Sequence, residues 1–352
     1  MSGAQSTRQW IRNASVVVAD ASGRGIEFGD LRIVFRVTHE VAGETPKSLQ
    51  LRAFNMAPTT AKVLLSKEFT RVILKVGYGN PATAGSATTQ MVYQGREGTI
   101  EKLFDKAALG TPAGGGIALR TLFEGDIKQA RTGRMSQTDT YVDILAGSSD
   151  VAYNFGFISK AVAAGYTQEE LNQAVAQVFG QYEIQQGYKE GMETAKAPRG
   201  RVLFGMARDY AREIAYTNGN TWSIADGVYD QVPVETYIPD EAVVITAATG
   251  MVGVPQVTLD GIVVRCLMNP TIRGNRLVKL DNKSIQSFPL APGYIDPPYI
   301  PPLNQDGIYK VIFADHIGDT RGQEWYTDFV CSAVDASAAP TQAVTRAVGY
   351  NP

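Results

Sequence analysis

Residues 310–330 read KVIFADHIGDTRGQEWYTDFV, and this stretch decides the fold. Lys310 to Ile317 has the Val, Ile and Phe content of a strand, Thr320-Arg321-Gly322 supplies a turn, and Trp325 to Val330 returns as a second strand. The same plan stands earlier in the chain. Thr121-Leu122-Phe123-Glu124-Gly125-Asp126-Ile127 leads through a Thr132-Gly133-Arg134 turn to Thr138-Asp139-Thr140-Tyr141-Val142-Asp143-Ile144. Strand, basic glycine turn and Thr-Asp-bearing strand come in the same order both times, as expected of two β domains related by a distant internal repeat.

Around the first hairpin, residues 31–37 and 48–54 alternate well enough to bury one face each, with Gly43 and Pro46 between them. Thr59 or Thr60 caps a short helix expected to run to Phe69 with Ala61, Leu64 and Leu65 on one face, and residues 71–76 return as a strand. Residues 77–120, with Asn80-Pro81 and Gly114-Gly115-Gly116, read as a long inserted loop holding a short helix near 100–108. The pieces make a partly closed antiparallel sheet or barrel with a helix at one end. Around the second hairpin, residues 243–246, 261–267, 277–280, 309–315 and 325–333 read as strands, and the proline-rich segment 288–302 as stiff and extended.

Between these halves the hydrophobic period changes from two to about 3.6. Val151, Phe155, Ile158 and Val162 predict a helix over 151–164. Thr167-Gln168-Glu169-Glu170 is a capping box leading into Leu171, Val175, Val178 and Phe179, and Leu203, Met206, Tyr210 and Ile214 predict a helix from 201 to 216 closed by Asn218-Gly219. Residues 222–229 read as a hairpin turning at Asp226-Gly227. The fold class is therefore α+β, mainly β. It divides into an N-terminal segment 1–24, a first barrel 25–150 with a loop insertion at about 80–116, a helical α+β insert 151–235, a second barrel 236–335 and a tail 336–352. Residues 1–7 and 336–352 are expected to be loosely ordered.

The 352 residues accommodate roughly two or three domains. Lys plus Arg number 33 against 35 Asp plus Glu, so no overall field holds a nucleic-acid backbone or an anionic membrane. No run approaches the ~18 apolar residues that span a bilayer. The polar start around Gln5, Arg8 and Arg12 lacks the apolar core of a signal peptide, so the chain is expected to stay in the cytosol. Cys266 and Cys331 sit in apolar runs without zinc-site spacing and read as buried thiols; a disulfide needs the two strands side by side.

Chemistry is sparse. The two histidines, His39 and His316, each end a strand-like run. Asp315-His316-Ile317-Gly318-Asp319 is the one cluster in which carboxylates could raise a histidine's basicity or share a cation, against the simpler reading of a turn whose Asp side chains bond backbone amides. There is no Gly-x-Ser-x-Gly, His-Glu-x-x-His or phosphate-loop motif. Pro81 spoils Gly77-Tyr78-Gly79 as a nucleotide loop, and Glu169-Glu170 is explained by helix capping. No catalytic, cofactor-binding or metal-ligating residue is named, and no cofactor is expected.

Several segments together resemble the baseplate hub family of contractile-tailed bacteriophages, the late control protein D-like tail hubs. They are LRIVFRVTHE (31–40), LQLRAFN (49–55), GDIKQARTGR (125–134), TDTYVDILA (138–146), GMVGVP (250–255), RCLMNP (265–270) and HIGDTRGQEWYTD (316–328). The resemblance implies a non-enzymatic virion protein of the tail baseplate, assembled in the host cytoplasm. It would form a homotrimer whose two tube-like barrels per subunit make a pseudo-sixfold ring between a hexameric tail tube and a trimeric central spike. Wedge proteins and a tape-measure protein are the further partners it implies, with DNA passing the lumen unbound, no membrane insertion, and the helical segment on the outside of the ring. Trp325, Tyr326, Tyr299 and Phe288 are candidate interface anchors. Another β-barrel tail component, a tube or distal-tail protein, is the alternative, and a cell-wall hydrolase using Glu124, Asp126 or His316 is the remaining one.

Overall fold

The computed structural model describes residues 11–20, 25–41, 46–65, 69–79, 90–92, 119–258, 260–287, 303–304 and 306–333. The first half contains β1 (Arg12–Asp20), β2 (Gly25–Phe28), β3 (Ile33–Glu40), β4 (Ser48–Phe54), α1 (Pro58–Leu65), β5 (Phe69–Tyr78), β6 (Gln90–Val92), β7 (Arg120–Arg134) and β8 (Thr140–Gly147). Alternation makes β3: Ile33, Phe35 and Val37 are buried while Arg36 and Glu40 are exposed. Pro58 opens α1, where its missing N–H is no loss, so Thr59 and Thr60 lie inside the helix rather than capping it. The helix does not run to Phe69 as expected, because Phe69 begins β5.

Two expectations for this half are corrected. Residues 12–20, grouped above with an N-terminal segment, form β1, paired with both β2 and β5. Ala14, Val16 and Val18 enter the first core while Val17 and Ala19 are buried on the other face, and a strand covered on both sides shows no alternation. Thr132-Gly133-Arg134 is not a turn but the end of β7, opposite Val142, Tyr141 and Thr140. The chain reverses over 135–139, where the Ser136 hydroxyl accepts from the Thr138 and Asp139 amides.

The middle lobe contains α2 (Asp150–Phe155), β9 (Phe157–Val162), α3 (Gln168–Gly180), β10 (Gln185–Lys189), β11 (Arg201–Met206), α4 (Ala207–Asn218), β12 (Asn220–Ala225) and β13 (Val228–Pro233). The capping box of α3 forms between Thr167 and Glu170. Gly219 closes α4 at φ 65°, and Asp226 (φ 52°) and Gly227 (φ 74°) turn the β12–β13 hairpin. The single helix expected over 151–164 is instead α2 and β9. Gly156 takes extended dihedrals, and a Cβ there would stand 2.5 Å from the Ala152 carbonyl oxygen. Residues 201–206 are likewise strand rather than helix, paired antiparallel with β9 from Phe157↔Met206 to Val162↔Arg201. The apolar residues of both segments fall at helical spacing, and antiparallel pairing between the two segments overrides that local signal.

The second half contains β14 (Val243–Ile245), β15 (Met251–Thr258), β16 (Gly261–Leu267), β17 (Leu277–Leu280), β18 (Gln286–Ser287), β19 (Ile308–Asp319) and β20 (Trp325–Ala333). Its core gathers Val257, Ile262, Val264, Cys266, Tyr309, Val311, Phe329 and Cys331. The halves are one fifteen-stranded sheet, ordered β18-β15-β16-β20-β19-β3-β4-β8-β7-β5-β1-β2-β6, with β17 beside β19 and β14 beside β17. The protein is α+β and mainly β, each half of the sheet carrying its own core. Most of the 80–116 insertion, including the helix expected near 100–108, the segment 288–302 and both chain ends lie outside the described residues. No helix among the described residues is long and apolar enough to cross a membrane.

Candidate functional site: a duplicated sheet unit and its seam

Five strands recur in the same order. In the first half β3-β4-β8-β7-β5 are neighbours, and in the second β15-β16-β20-β19-β17 are neighbours, all antiparallel. Registers recur with them. Leu49↔Ala146, Leu51↔Ile144 and Arg52↔Asp143 in β4–β8 correspond to Ile262↔Cys331, Val264↔Phe329 and Arg265↔Asp328 in β16–β20. A bulge between Ile127 and Gln129, facing Ala146 and Leu145, corresponds to one between Val311 and Phe313, facing Cys331 and Val330. A bulge is a specified feature of a strand pair rather than a defect. Its recurrence at one register position makes the internal repeat a structural fact, in an alignment that sets Tyr141-Val142-Asp143 against Tyr326-Thr327-Asp328.

The repeated position carries a repeated device. Arg52 bonds Asp143 through Nε (2.6 Å) and Nη2 (3.0 Å) and lies over the Tyr141 ring at 4.1 Å. Arg265 bonds Asp328 through Nε and Nη2, both at 2.7 Å, and lies over the Tyr326 ring at 5.5 Å. The planar guanidinium fork meets a carboxylate bidentately and stacks on an aromatic face at once, which no lysine can do. The Arg52 bond, joined by Arg131 and opposed by burial, holds the Asp143 carboxyl below its ordinary range.

The two units meet at a seam, β3 against β19, from Phe313↔Glu40 to Asp319↔Val34. Arg36 grips Asp315 at 2.7 Å and Arg32 grips Asp319 at 2.7 Å. Thr320 takes the Ile33 amide at 2.9 Å, and Arg321 donates to the Asp30 carbonyl at 2.5 Å. The guanidinium groups of Arg32 and Arg36 are half exposed, so each pair adds at most about 1 kcal/mol; what they fix is the register. Burial pushes the Asp319 carboxyl up, but the Arg32 bond and the Arg321 and Gly322 amides outweigh it and hold it below its usual value.

The Asp315–His316–Asp319 cluster is not assembled. Successive strand residues face opposite ways, so Asp315 and Asp319 meet arginines while His316 points inward, its Nδ1 2.9 Å from the Thr327 hydroxyl. Nor is the segment the turn of the simpler reading: it is strand up to Asp319, and of the two carboxylates Asp319 takes backbone amides, those of Arg321 and Gly322, while Asp315 takes side chains. Trp325 is no surface anchor: it is 0% exposed and packs edge-on against Phe35 at 5.5 Å. Tyr326 is half-buried under Arg265, and Tyr299 and Phe288 lie outside the described residues. Cys266 and Cys331 are buried free thiols; their strands are adjacent, but Cys266 faces Thr327 and Cys331 faces Ile262. Among the described residues, no group of three or more His, Cys, Asp or Glu side chains could hold a metal ion.

His316 gives a pH-dependent prediction. Burial, then Lys47, Arg273 and His39, lower it from 6.5 to about 3, with Asp226 acting the other way. As pH falls below 6.5 the unfolded chain takes up a proton that the folded chain refuses, so stability is full above 6.5 and is lost as pH drops towards 3. Glutamine keeps a partner for Thr327 without titrating. The stability of wild type relative to His316→Gln should fall by about 2 kcal/mol between pH 8 and pH 5, read from urea midpoints, and a pH-independent difference refutes the buried neutral histidine.

The sequence reading did not single out the Arg–Asp pairs. The signal that could have found them is Leu51-Arg52-Ala53-Phe54-Asn55 beside Val264-Arg265-Cys266-Leu267-Met268, taken together with the two Tyr-x-Asp triplets.

No protein-family model matches the sequence, and no curated protein is similar to it in sequence. Solved structures do share the architecture. The 43 kDa tail protein of prophage MuSo2 from Shewanella oneidensis superposes with a TM-score of 0.51 at 7% identity, over 93% of this chain and 99% of that one. The tail protein from Neisseria meningitidis MC58 does so with a TM-score of 0.50 at 8% identity, over 92% and 97%. The fold of this chain is thus that of phage tail proteins, and no catalytic family is indicated.

Proposed function

We propose that the chain is a structural, non-enzymatic protein of a contractile phage tail, the baseplate hub, three copies of which form a ring of six like units between a hexameric tube and a trimeric spike. The observation that carries this reading is the duplication with its one occupied seam. Within the chain, β19 of the second unit pairs with β3 of the first. The equivalent contact between copies would set the far part of β7 against β15. Residues 129–134 of β7 have β8 on one side and no described strand on the other. β15 has an open side over Met251–Pro255, before β18 joins it at Gln256. Carrying the seam register over sets Gly133–Met135 against Val252–Val254, and Met135 and Val254 are 69% and 49% exposed. Exposed strand edges invite pairing, and a head-to-tail contact of this kind builds a ring when its rotation closes.

In this reading residues 25–150, with β1 added at their edge, and residues 236–335 are the two tube-like domains, and the 151–235 lobe stands outside them towards wedge proteins. The part of the outer sheet face that carries Arg36, Arg52 and Arg265 lines the lumen. Its guanidinium groups at Arg36, Arg52 and Arg265 are bonded to carboxylates, which suits passage of DNA without capture.

Sedimentation across a concentration series tests the proposal. A trimer is expected, alone or on adding the cognate spike. Met135→Lys with Val252→Lys should give monomers by like-charge repulsion across the edges, and Met135→Lys with Val252→Glu should restore the trimer. A hexamer would assign the chain to a tube, and a monomer indifferent to tube and spike proteins would overturn the structural reading.

A further inference from the structure

The middle lobe leaves the sheet after β8 and returns after β13, and both crossings are gripped. At the first, Asp126 of β7 accepts the Val151 amide at 3.3 Å, and Lys128 pairs with Asp150 at 2.6 Å. At the second, Lys310 of β19, 4% exposed, donates to the Val234 and Thr236 carbonyls, each at 2.8 Å, and to that of Pro233 at 3.3 Å. Beside it Ile312 packs against Val234.

Asp126 and Lys310 occupy one position of the repeated unit. Asp126 lies between Arg71 of β5 and Gly147 of β8, and Lys310 lies between Leu277 of β17 and Ser332 of β20. Lys128 and Ile312 are in turn the two bulge residues, whose extra length turns their side chains towards the lobe. The chemistry has diverged to suit each crossing. The first presents free backbone N–H groups at the start of α2, which a carboxylate accepts, and the second presents carbonyl oxygens, which the three donors of an ammonium satisfy. A third contact joins the same bodies: Lys47 holds Asp226, at the tip of the β12–β13 hairpin, at 2.7 Å.

We infer that one position of the duplicated unit, Asp126 in the first copy and Lys310 in the second, clasps both crossings and holds the middle lobe as a fixed arm rather than a domain swinging on two linkers. Such an arm presents its outer surface at a set angle to the sheet, whatever partner meets it. The inference concerns the single chain and does not depend on ring assembly.

Hydrogen exchange and spin-label distances test it on the full chain. Labels at Val202→Cys and Val263→Cys, both exposed positions while the native thiols are buried, should give a narrow distance distribution. Lys310→Met with Asp126→Ala should broaden it and speed amide exchange over 148–152 and 234–238 at least tenfold, with exchange in β4, β8, β16 and β20 unchanged. Lys310→Arg, which keeps the donors, should retain the narrow distribution. Should the double variant fail to fold, Asp126→Ala alone must still speed exchange at Val151. An unchanged distribution and unchanged exchange at both crossings in a folded variant would overturn the clasp, as would a broad distribution in the unsubstituted chain.

Discussion

Replacing Trp325 by alanine lowers the unfolding free energy by about 3–5 kcal/mol, the range for deleting a buried aromatic and leaving a cavity. Trp325 belongs to β20 of the second half but sits in the core of the first, with Phe35, and Met268 joins it there from the second half. The residue therefore bonds the halves through packing as the seam does through hydrogen bonds. A double-mutant cycle with Phe35→Ala should return a coupling of about 0.5–1.5 kcal/mol for the edge-to-face pair. Urea titration reads both values. A loss under 1 kcal/mol together with weakened assembly would restore Trp325 as an interface anchor and refute its place in the core.

Replacing Lys47 by methionine has an effect of similar size for an electrostatic reason. Lys47 is 4% exposed and bonds both carboxylate oxygens of Asp226 and the Leu122 carbonyl. Burial lowers its pKa and Asp226 partly restores it. Burial in turn raises that of Asp226, but Lys47 and Arg273 outweigh this and hold the carboxylate ionised. Removing Lys47 leaves the buried carboxylate with Arg273 alone, 3.6 Å away, as its counter-charge, at a cost towards the lower end of the ~3–5 kcal/mol for breaking a buried pair. Adding Asp226→Asn should recover at least half of that loss. Asparagine removes the charge while tolerating the left-handed backbone that residue 226 adopts at φ 52°. A double variant no better than Lys47→Met alone would show that the loss comes from packing rather than charge.

The two predictions probe what was hidden from the sequence. Trp325 stands there as a candidate interface anchor, and nothing local says that the start of its strand folds over another half's core. Lys47 carries no motif, and its partner lies 179 positions away. Strands with one covered face were legible: β4, β16, β17 and β20 stand where their alternation puts them. The α3 capping box and the Asp226-Gly227 hairpin were legible too, since both are set by bonds within a few residues. β1, covered on both faces, was not. β9 and β11 read as helix because their apolar spacing is helical, and only the pairing of one with the other makes them strands.

By itself the sequence determined the mainly β class, the two strand-rich halves around a helical middle, and the hint of a repeat in its two hairpins. Those depend on which side chains recur at which short spacing, and that is local information. Only the tertiary structure decided that the halves are one sheet, that the repeat extends to registers and a shared bulge, and that Arg36, Arg52 and Arg265 meet Asp315, Asp143 and Asp328. The reason is physical. A side chain's face is set by backbone period, whereas its partner is set by which strands are brought alongside, and any arginine satisfies any carboxylate that the topology delivers within about 3 Å.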